Sequence, residues 1–305
     1  MMHSIVLQKG TGKVEQFIQQ LINGISIGSI YALIALGYTM VYGIIKLINF
    51  AHGDILMIGG YVGLGCVLFF NMSFIPAVLI AMVVCAALGV FTEKVAYKPL
   101  RNAPRIAVLI TAIGVSFLLE YLMVYFFKAS SRTYPSDFFS FGSINLGSIT
   151  ISMDKMMVML ITIVLMVLIQ IVIKKTKLGK SIRAVSSDQD AALLMGVSVD
   201  NAISFTFIIG SALAAVAGVM YGAMFTINPL MGMQPGIKAF VAAVFGGIGN
   251  IPGAILGGML LGVTETLVSA YLSSSIKDAV AFAILIIVLL VRPSGLLGKN
   301  VKEKV

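Results

Sequence analysis

Long runs without a single charge constrain this chain more than anything else in it. Leu21–Ile45, Ile55–Met72, Phe74–Thr92, Met156–Ile173, Ala202–Ile227 and Ala239–Thr264 contain no Asp, Glu, Lys or Arg, and Ile106–Phe127 is interrupted only by Glu120. A helix needs roughly 20 apolar residues to cross the ~30 Å hydrocarbon core of a bilayer, and each run is near that length. An eighth segment, Ala279–Val291, is short and needs Ser273–Asp278 to complete a span, with Lys277 snorkelling outward. The runs lack the period-two alternation of a membrane β-barrel. Nor is the start a signal peptide, because residues 1–16 are polar and Leu21–Ile45 exceeds a signal's apolar region. The expected fold is all-α: a polytopic integral membrane helical bundle with eight apolar segments and eight to ten crossings.

Composition agrees, with 59% hydrophobic and only 11% charged residues, against roughly 25% charged in soluble domains. The formal charge is +9, and nine of the 21 basic residues fall in two loops: Lys94, Lys98, Arg101 and Arg105, then Lys174, Lys175, Lys177, Lys180 and Arg183. Arg292, Lys299, Lys302 and Lys304 add a basic tail. Short loops of this kind mark the cytoplasmic side. The charge therefore orients the protein and does not imply nucleic acid. Cys66 and Cys85 lie inside apolar runs and read as small core hydrophobes rather than a disulfide framework.

The chain divides into a polar tail at 1–16, a single transmembrane domain at 17–298 containing a cytoplasmic loop at 174–201, and a basic tail at 299–305. With the 93–105 and 174–201 loops inside, the Ser/Thr-rich Lys128–Met153 loop lies outside. Parity then requires Ala239–Thr264 to make two passes or a re-entrant hairpin, broken at Gly249-Asn250-Ile251-Pro252-Gly253. Lys9 and Lys13 point to an inside amino terminus, with Asn49–Asp54 separating further passes. Glycines four apart (Gly24 and Gly28; Gly218 and Gly222; Gly249, Gly253 and Gly257; Gly258 and Gly262) predict helices in close contact.

Two polar breaks are candidate linings of a translocation path: Asn49, His52 and Asp54 in the first, and Gly249, Asn250, Pro252 and Gly253 in the second. Broken helix at membrane depth survives only where it is buried in protein or lines a cavity, and paired interruptions mark the binding site of many transporters. A purely structural turn is the competing reading of the first break. In the loop after Ile173, Lys177-Leu178-Gly179-Lys180-Ser181 ends like a phosphate-binding loop. The match fails, because position 174 is Lys and the run follows a helix, so no nucleotide hydrolysis is expected of this chain. The loop instead encodes an amphipathic face, Leu178, Ile182 and Val185, opposite Lys180 and Arg183. A short helix follows, capped by Ser187 with Asp190 three residues on and stopped by Gly196. Docking onto a partner and resting on lipid headgroups are both compatible with that pattern. Glu120 and Glu265 stand alone in the spans, without the carboxylate and histidine relay of many ion-coupled carriers. The two histidines, His3 and His52, make no metal cluster.

The first break, preceded by Gly37-Tyr38-Thr39-Met40-Val41-Tyr42-Gly43-Ile44, resembles the opening of bacterial branched-chain amino acid importer permeases of the LivH type. Ala239-Phe240-Val241-Ala242-Ala243-Val244, Gly246-Gly247-Ile248-Gly249-Asn250-Ile251-Pro252-Gly253-Ala254 and Arg292-Pro293-Ser294-Gly295-Leu296-Leu297-Gly298 are similar to the same family. The likeness runs from Phe17 to Gly298 and leaves out the first sixteen residues. It implies a multi-pass permease in the bacterial cytoplasmic (inner) membrane, part of an ATP-binding-cassette importer. The implied partners are a second homologous permease subunit, two cytoplasmic ATP-binding subunits and an extracytoplasmic substrate-binding protein. The implied chain is not an enzyme and has no cofactor of its own, ATP being bound by partner subunits. Asp190-Ala191-Ala192 with Gly196 is similar to the Glu-Ala-Ala-x-x-x-Gly motif that engages the ATPase, Asp replacing Glu; with Arg183 these residues form the implied coupling loop. The implied cargo is Leu, Ile or Val. A permease for urea or short amides, and a self-sufficient secondary carrier or channel, are the alternatives.

Overall fold

The computed structural model describes residues 2–101, 103–135, 138, 142–146 and 149–298, and it is helical almost throughout. The basic residues Lys299, Lys302 and Lys304 lie outside the described residues. Helix α1 (Met2–Ile45) is followed by α2 (His52–Phe70) and α3 (Phe74–Thr92), which runs on through a π turn (Glu93–Tyr97) and a 3-10 turn (Lys98–Leu100). Next come α4 (Arg105–Phe127), strands β1 (Ser143–Leu146) and β2 (Ile149–Ser152), and α5 (Met153–Lys175). The short α6 (Lys177–Ser187) and α7 (Gln189–Leu194) lead into α8 (Val199–Met224), α9 (Met233–Gly246), α10 (Ile251–Tyr271) and α11 (Lys277–Val291).

Among the described residues, seven helices are long and apolar enough to cross a bilayer: α1 to α5, α8 and α10. The eighth apolar segment does not become an eighth such helix. α11 has 15 residues, about 22 Å at ~1.5 Å per residue, and residues 273–276 form a turn instead of extending it. Lys277 does not snorkel away either; its Nζ lies 3.4 Å from Oε1 of Glu265. The Ala239–Thr264 run is divided between α9 and α10, as the sequence predicts.

The glycine spacing finds its reason in backbone contact. A Cβ on Gly28 would lie 2.9 Å from the Cα of Met259, and one on Gly258 2.5 Å from the Cα of Ala32, so α1 and α10 touch main chain to main chain. Gly59 of α2 meets Ala215 of α8 in the same way. Lipid offers no hydrophobic drive for helices to associate, so such close packing supplies it. Ile30–Leu36 are fully enclosed at the centre, whereas Ile110, Leu118, Leu168, Ile286 and Leu290 on α4, α5 and α11 form an exposed apolar rim. Cys66 and Cys85 are free and buried.

Two findings correct the sequence reading. The fold is not purely helical: β1 and β2 pair antiparallel, Ile144 opposite Ile151, in the β-branched run Ile149-Thr150-Ile151 that favours strand. The second concerns α1. Gln19 Oε1 accepts a hydrogen bond from the Thr150 N–H (3.0 Å), and Lys155 donates to Asn23 Oδ1 (2.6 Å), so the start of α1 stands at the hairpin end. At the opposite end Gln189 Nε2 donates to the Ile44 carbonyl (3.2 Å). Lys9 and Lys13 therefore belong to the end opposite the 174–201 loop, not to the same side as expected.

Candidate functional site

α1 stops at Ile45 because Lys46 takes a left-handed conformation (φ 55°), and α2 restarts at His52. The intervening turn is held from outside: Tyr97 donates its hydroxyl proton to Asn49 Oδ1 (2.7 Å), while Asn49 Nδ2 is buried without a partner. His52 is buried, its ring set edge-on to Tyr38 at 4.7 Å and its Nε2 without a hydrogen bond. Any side chain at Gly37 would overlap that ring. Asn49 and His52 thus shape the break, and Asp54 faces a cavity.

That cavity measures ≈ 210 Å³, below the ~300–1,000 Å³ of drug-sized pockets and suited to a small solute. α1 contributes Tyr38, the break Phe50, and α2 Asp54. α4 adds Ile113, Ser116, Phe117 and Glu120; the start of α9 adds Met233 and Ile237. Gly53 and Gly232 sit backbone to backbone, since a Cβ on Gly232 would lie 2.6 Å from the Gly53 carbonyl oxygen, so the N-termini of α2 and α9 converge there. Ser116 donates to Asp54 Oδ2 (2.5 Å), and the Glu120 carboxyl lies beside that of Asp54 within hydrogen-bond reach. Asp54 is 1% and Glu120 5% exposed. A larger cleft of ≈ 640 Å³ at the α2–α3 turn is lined by Asn71, Phe74, Phe138 and Met157 and, among the described residues, by no charged one. Its polar lining is neutral, Asn71 and Ser73, and it is the weaker candidate for a charged solute.

The second break lies elsewhere. Gly249 (φ 89°) packs near Gly43 at the end of α1, and Pro252 and Gly253 occupy the first turn of α10. Pro there is pre-organised for a helix start. Asn250 Nδ2 donates to the Leu297 carbonyl (2.5 Å), while the N–H groups of Leu296 and Leu297 donate to Phe245 (2.9 Å) and Gly246 (3.0 Å) carbonyls. None of Gly249, Asn250, Pro252 or Gly253 lines the acidic cavity; Asn250 holds the segment after α11, while Gly249 and Gly253 pack against Gly43 and Gly246.

The loop at 174–201 folds as two short helices. Ile182 and Val185 of α6 are buried in the chain's own core, with Lys180 and Arg183 exposed opposite. The apolar face is therefore spent on the bundle and not on headgroups. Arg183 donates to the Ile173 carbonyl at the end of α5, fixing the corner. The cap of α7 is Asp188, whose Oδ1 accepts from the Ala191 N–H (2.9 Å). Ser187 instead ends α6 and bonds back to the Arg183 carbonyl. Asp190 and Ala191 are exposed, and Gly196 adopts the left-handed stop (φ 78°) with open space around it. Ala192, expected at a partner surface, is buried within this chain. The residues that project are Leu193, Leu194 and Met195, at 62%, 89% and 83% exposure.

Sequence reasoning also missed two clusters. Glu265 does not stand alone: it accepts from Lys238 Nζ (2.5 Å) and from the Tyr31 hydroxyl (3.0 Å), and Lys238 reaches Asp278 at 2.9 Å. Nor does Glu120, which meets Asp54. Its signal was present, because Ile113, Ser116, Phe117 and Glu120 fall on one helical face. Lys238 was hidden by standing just before an uncharged run.

Seven membrane-length helices, an acidic cavity lined from α1, α2, α4 and α9, and a helical loop at one end define a multi-pass membrane protein of the solute-transport class. The chain belongs to the family of branched-chain amino acid transport system permease components, whose family model matches residues 20–289. It is 45% identical over 305 residues to the high-affinity branched-chain amino acid transport system permease protein LivH of Salmonella typhimurium, covering 95% of this chain and 98% of that one. Identity to BraD, the corresponding permease protein of Pseudomonas aeruginosa, is 42%, covering 96% and 99%. A probable branched-chain amino acid permease of Methanocaldococcus jannaschii is 29% identical over 90% of each chain. These relatives are permease components, and this chain is likewise a translocation subunit rather than a catalytic one.

Proposed function

We propose that this chain forms the translocation path of an ATP-driven importer of leucine, isoleucine and valine. The observation that carries the reading is near-full-length identity of 42% and 45% to high-affinity branched-chain amino acid permeases. The cavity supports it chemically: Phe50, Ile113, Phe117, Met233 and Ile237 offer apolar contact to a branched side chain, beside the polar groups of Asp54, Ser116 and Glu120. An alternative cargo such as urea would leave those walls unused.

The remaining parts follow from the same reading. A second homologous permease covers the open side of the cavity, which exposed Phe117 and Met233 border. Of two cytoplasmic ATP-binding subunits, one docks on this chain at the end of α7, where Leu193, Leu194 and Met195 project, and the other on the second permease. Those subunits hold the ATP; this chain holds no cofactor. Asp190 and Ala191 border the docking patch, Gly196 and Asp188 fix its shape, and Arg183 ties it to α5. Motion of α7 would reach the cavity through Gln189, Ile44 and the break at Asn49 and His52. Gly249, Asn250, Pro252 and Gly253 support the path from below through the end of α1. An extracytoplasmic binding protein delivers cargo at the hairpin end. In the bacterial inner membrane the 174–201 loop faces the cytoplasm on this reading, and the start of α1, being at the opposite end, faces outward. This reading takes nine crossings: the seven long helices, α9 together with residues 225–232, and the shorter α11.

The test is reconstitution of the permease pair with ATPases and binding protein in liposomes, measuring ATP-dependent accumulation of labelled leucine. Concentrative uptake by the permease alone under a proton or sodium gradient would establish a secondary carrier instead. Leu194→Glu is expected to insert normally and to lose co-purification of the ATPases at least tenfold.

A further inference from the structure

The small cavity holds two acids and, among the described residues, no basic side chain paired with either. Asp54 and Glu120 are both more than nine-tenths buried, both line the cavity, and they lie side by side. Ser116 supplies one neutral hydrogen bond to Asp54. The converging N-termini of α2 and α9 each carry roughly half a positive charge, enough to offset about one carboxylate and not two. Two buried carboxyl groups within hydrogen-bond reach of each other hold a proton between them while the cavity is empty, and a cation entering the cavity takes that proton's place. The walls around the pair are aromatic and aliphatic, which suits a cation borne on an apolar body and not a hydrated metal ion.

We propose that Asp54 and Glu120, with Ser116 positioning Asp54, form the subsite that receives the α-ammonium group of the cargo amino acid. This rests on the transport reading above and adds to it the group that is recognised and the residues that recognise it. The ammonium donates hydrogen bonds to the two carboxyl groups, and the branched side chain lies against Phe50 and Phe117. Glu120 sits on α4, a helix with few neighbours in the bundle, so cargo held between the two carboxyl groups adds a second link to the Ser116–Asp54 bond that already joins α4 to α2. Apolar walls sense the side chain loosely, and the carboxyl pair selects amino compounds over acids and amides of the same shape.

Two measurements test this. In the reconstituted importer, Glu120→Gln should reduce leucine uptake at least tenfold while the complex still co-purifies with its ATPases, and Glu120→Asp should recover much of the loss. On the wild-type complex, leucinol, which keeps the ammonium and lacks the carboxylate, should displace labelled leucine. 4-Methylpentanoate, which keeps the carboxylate and lacks the ammonium, should not. Uptake by Glu120→Gln at the wild-type rate, or displacement by 4-methylpentanoate equal to that by leucinol, overturns the proposal. Failure of the wild-type importer to accumulate leucine would overturn the transport reading itself. The competition assay needs no variant and so is independent of any folding defect.

Discussion

Two acidic clusters are buried in this bundle, and they are balanced in opposite ways. Around Glu265, the acids Glu265 and Asp278 are matched by Lys238 and Lys277, and Tyr31 completes the hydrogen bonding. Around Asp54, the acids have a serine and each other. The first cluster ties α1, α9, α10 and α11 into one unit and leaves nothing over. The second has no basic partner among the described residues and opens onto a cavity. Burial of ions alone does not separate structure from function in a membrane; whether the cluster closes its own charge does.

Breaking the closed cluster should have the largest effect. Lys238→Met leaves Glu265 and Asp278 without their main cation, and removal of one member of a buried pair typically costs about 3–5 kcal/mol. Thermal unfolding in detergent should register a clear drop in melting temperature; an unchanged curve would remove Lys238 from the role of tie. Adding Glu265→Gln to that variant removes the orphaned charge and should restore most of the lost stability. Lys277, about one-third exposed in its side chain, should matter less: Lys277→Ala is expected to cost under ~1 kcal/mol. Smallest of all is Glu120→Gln, which relieves the open cluster and should leave unfolding within ~0.5 kcal/mol of wild type. A loss comparable to that of Lys238→Met would make Glu120 part of the scaffold and erase the contrast.

Much of the architecture was legible because single residues announced it. Uncharged runs located the long helices, and the four-residue glycine ladders marked where α1 meets α10. Gly196 gave the stop of α7, and Leu178, Ile182 and Val185 the inner side of α6. What escaped depended on partners distant in sequence. Lys238 and Glu265 are 27 residues apart and Tyr31 and Glu265 are 234 apart, so no local pattern joins them. The direction of α1 rests on Gln19, Asn23 and Gln189, whose contacts outweigh the count of Lys9 and Lys13. Ser187 lost the capping role to Asp188 by one residue, because α6 runs through Ser187 and the extended backbone begins at Asp188. Of the twelve candidate site residues, Asp54 alone lines the acidic cavity. Its companions were found through α4, where the sequence had shown only an interrupted apolar run.

The clasp between α9 and the segment after α11 bears on how the protein is made. The carbonyls of Phe245 and Gly246 at the end of α9 receive their hydrogen bonds from Leu296 and Leu297, which the ribosome adds only after α10 and α11 are complete. Until then that helix end has carbonyls to satisfy by other means, beside a glycine-rich junction that has not yet been pinned. Insertion must therefore deliver three helices before the junction can lock, and the locking step reports that all three have arrived. A chain interrupted ahead of Gly295 would carry every long span and still present an open seam, a mark by which membrane quality control could tell an unfinished subunit from one ready for assembly.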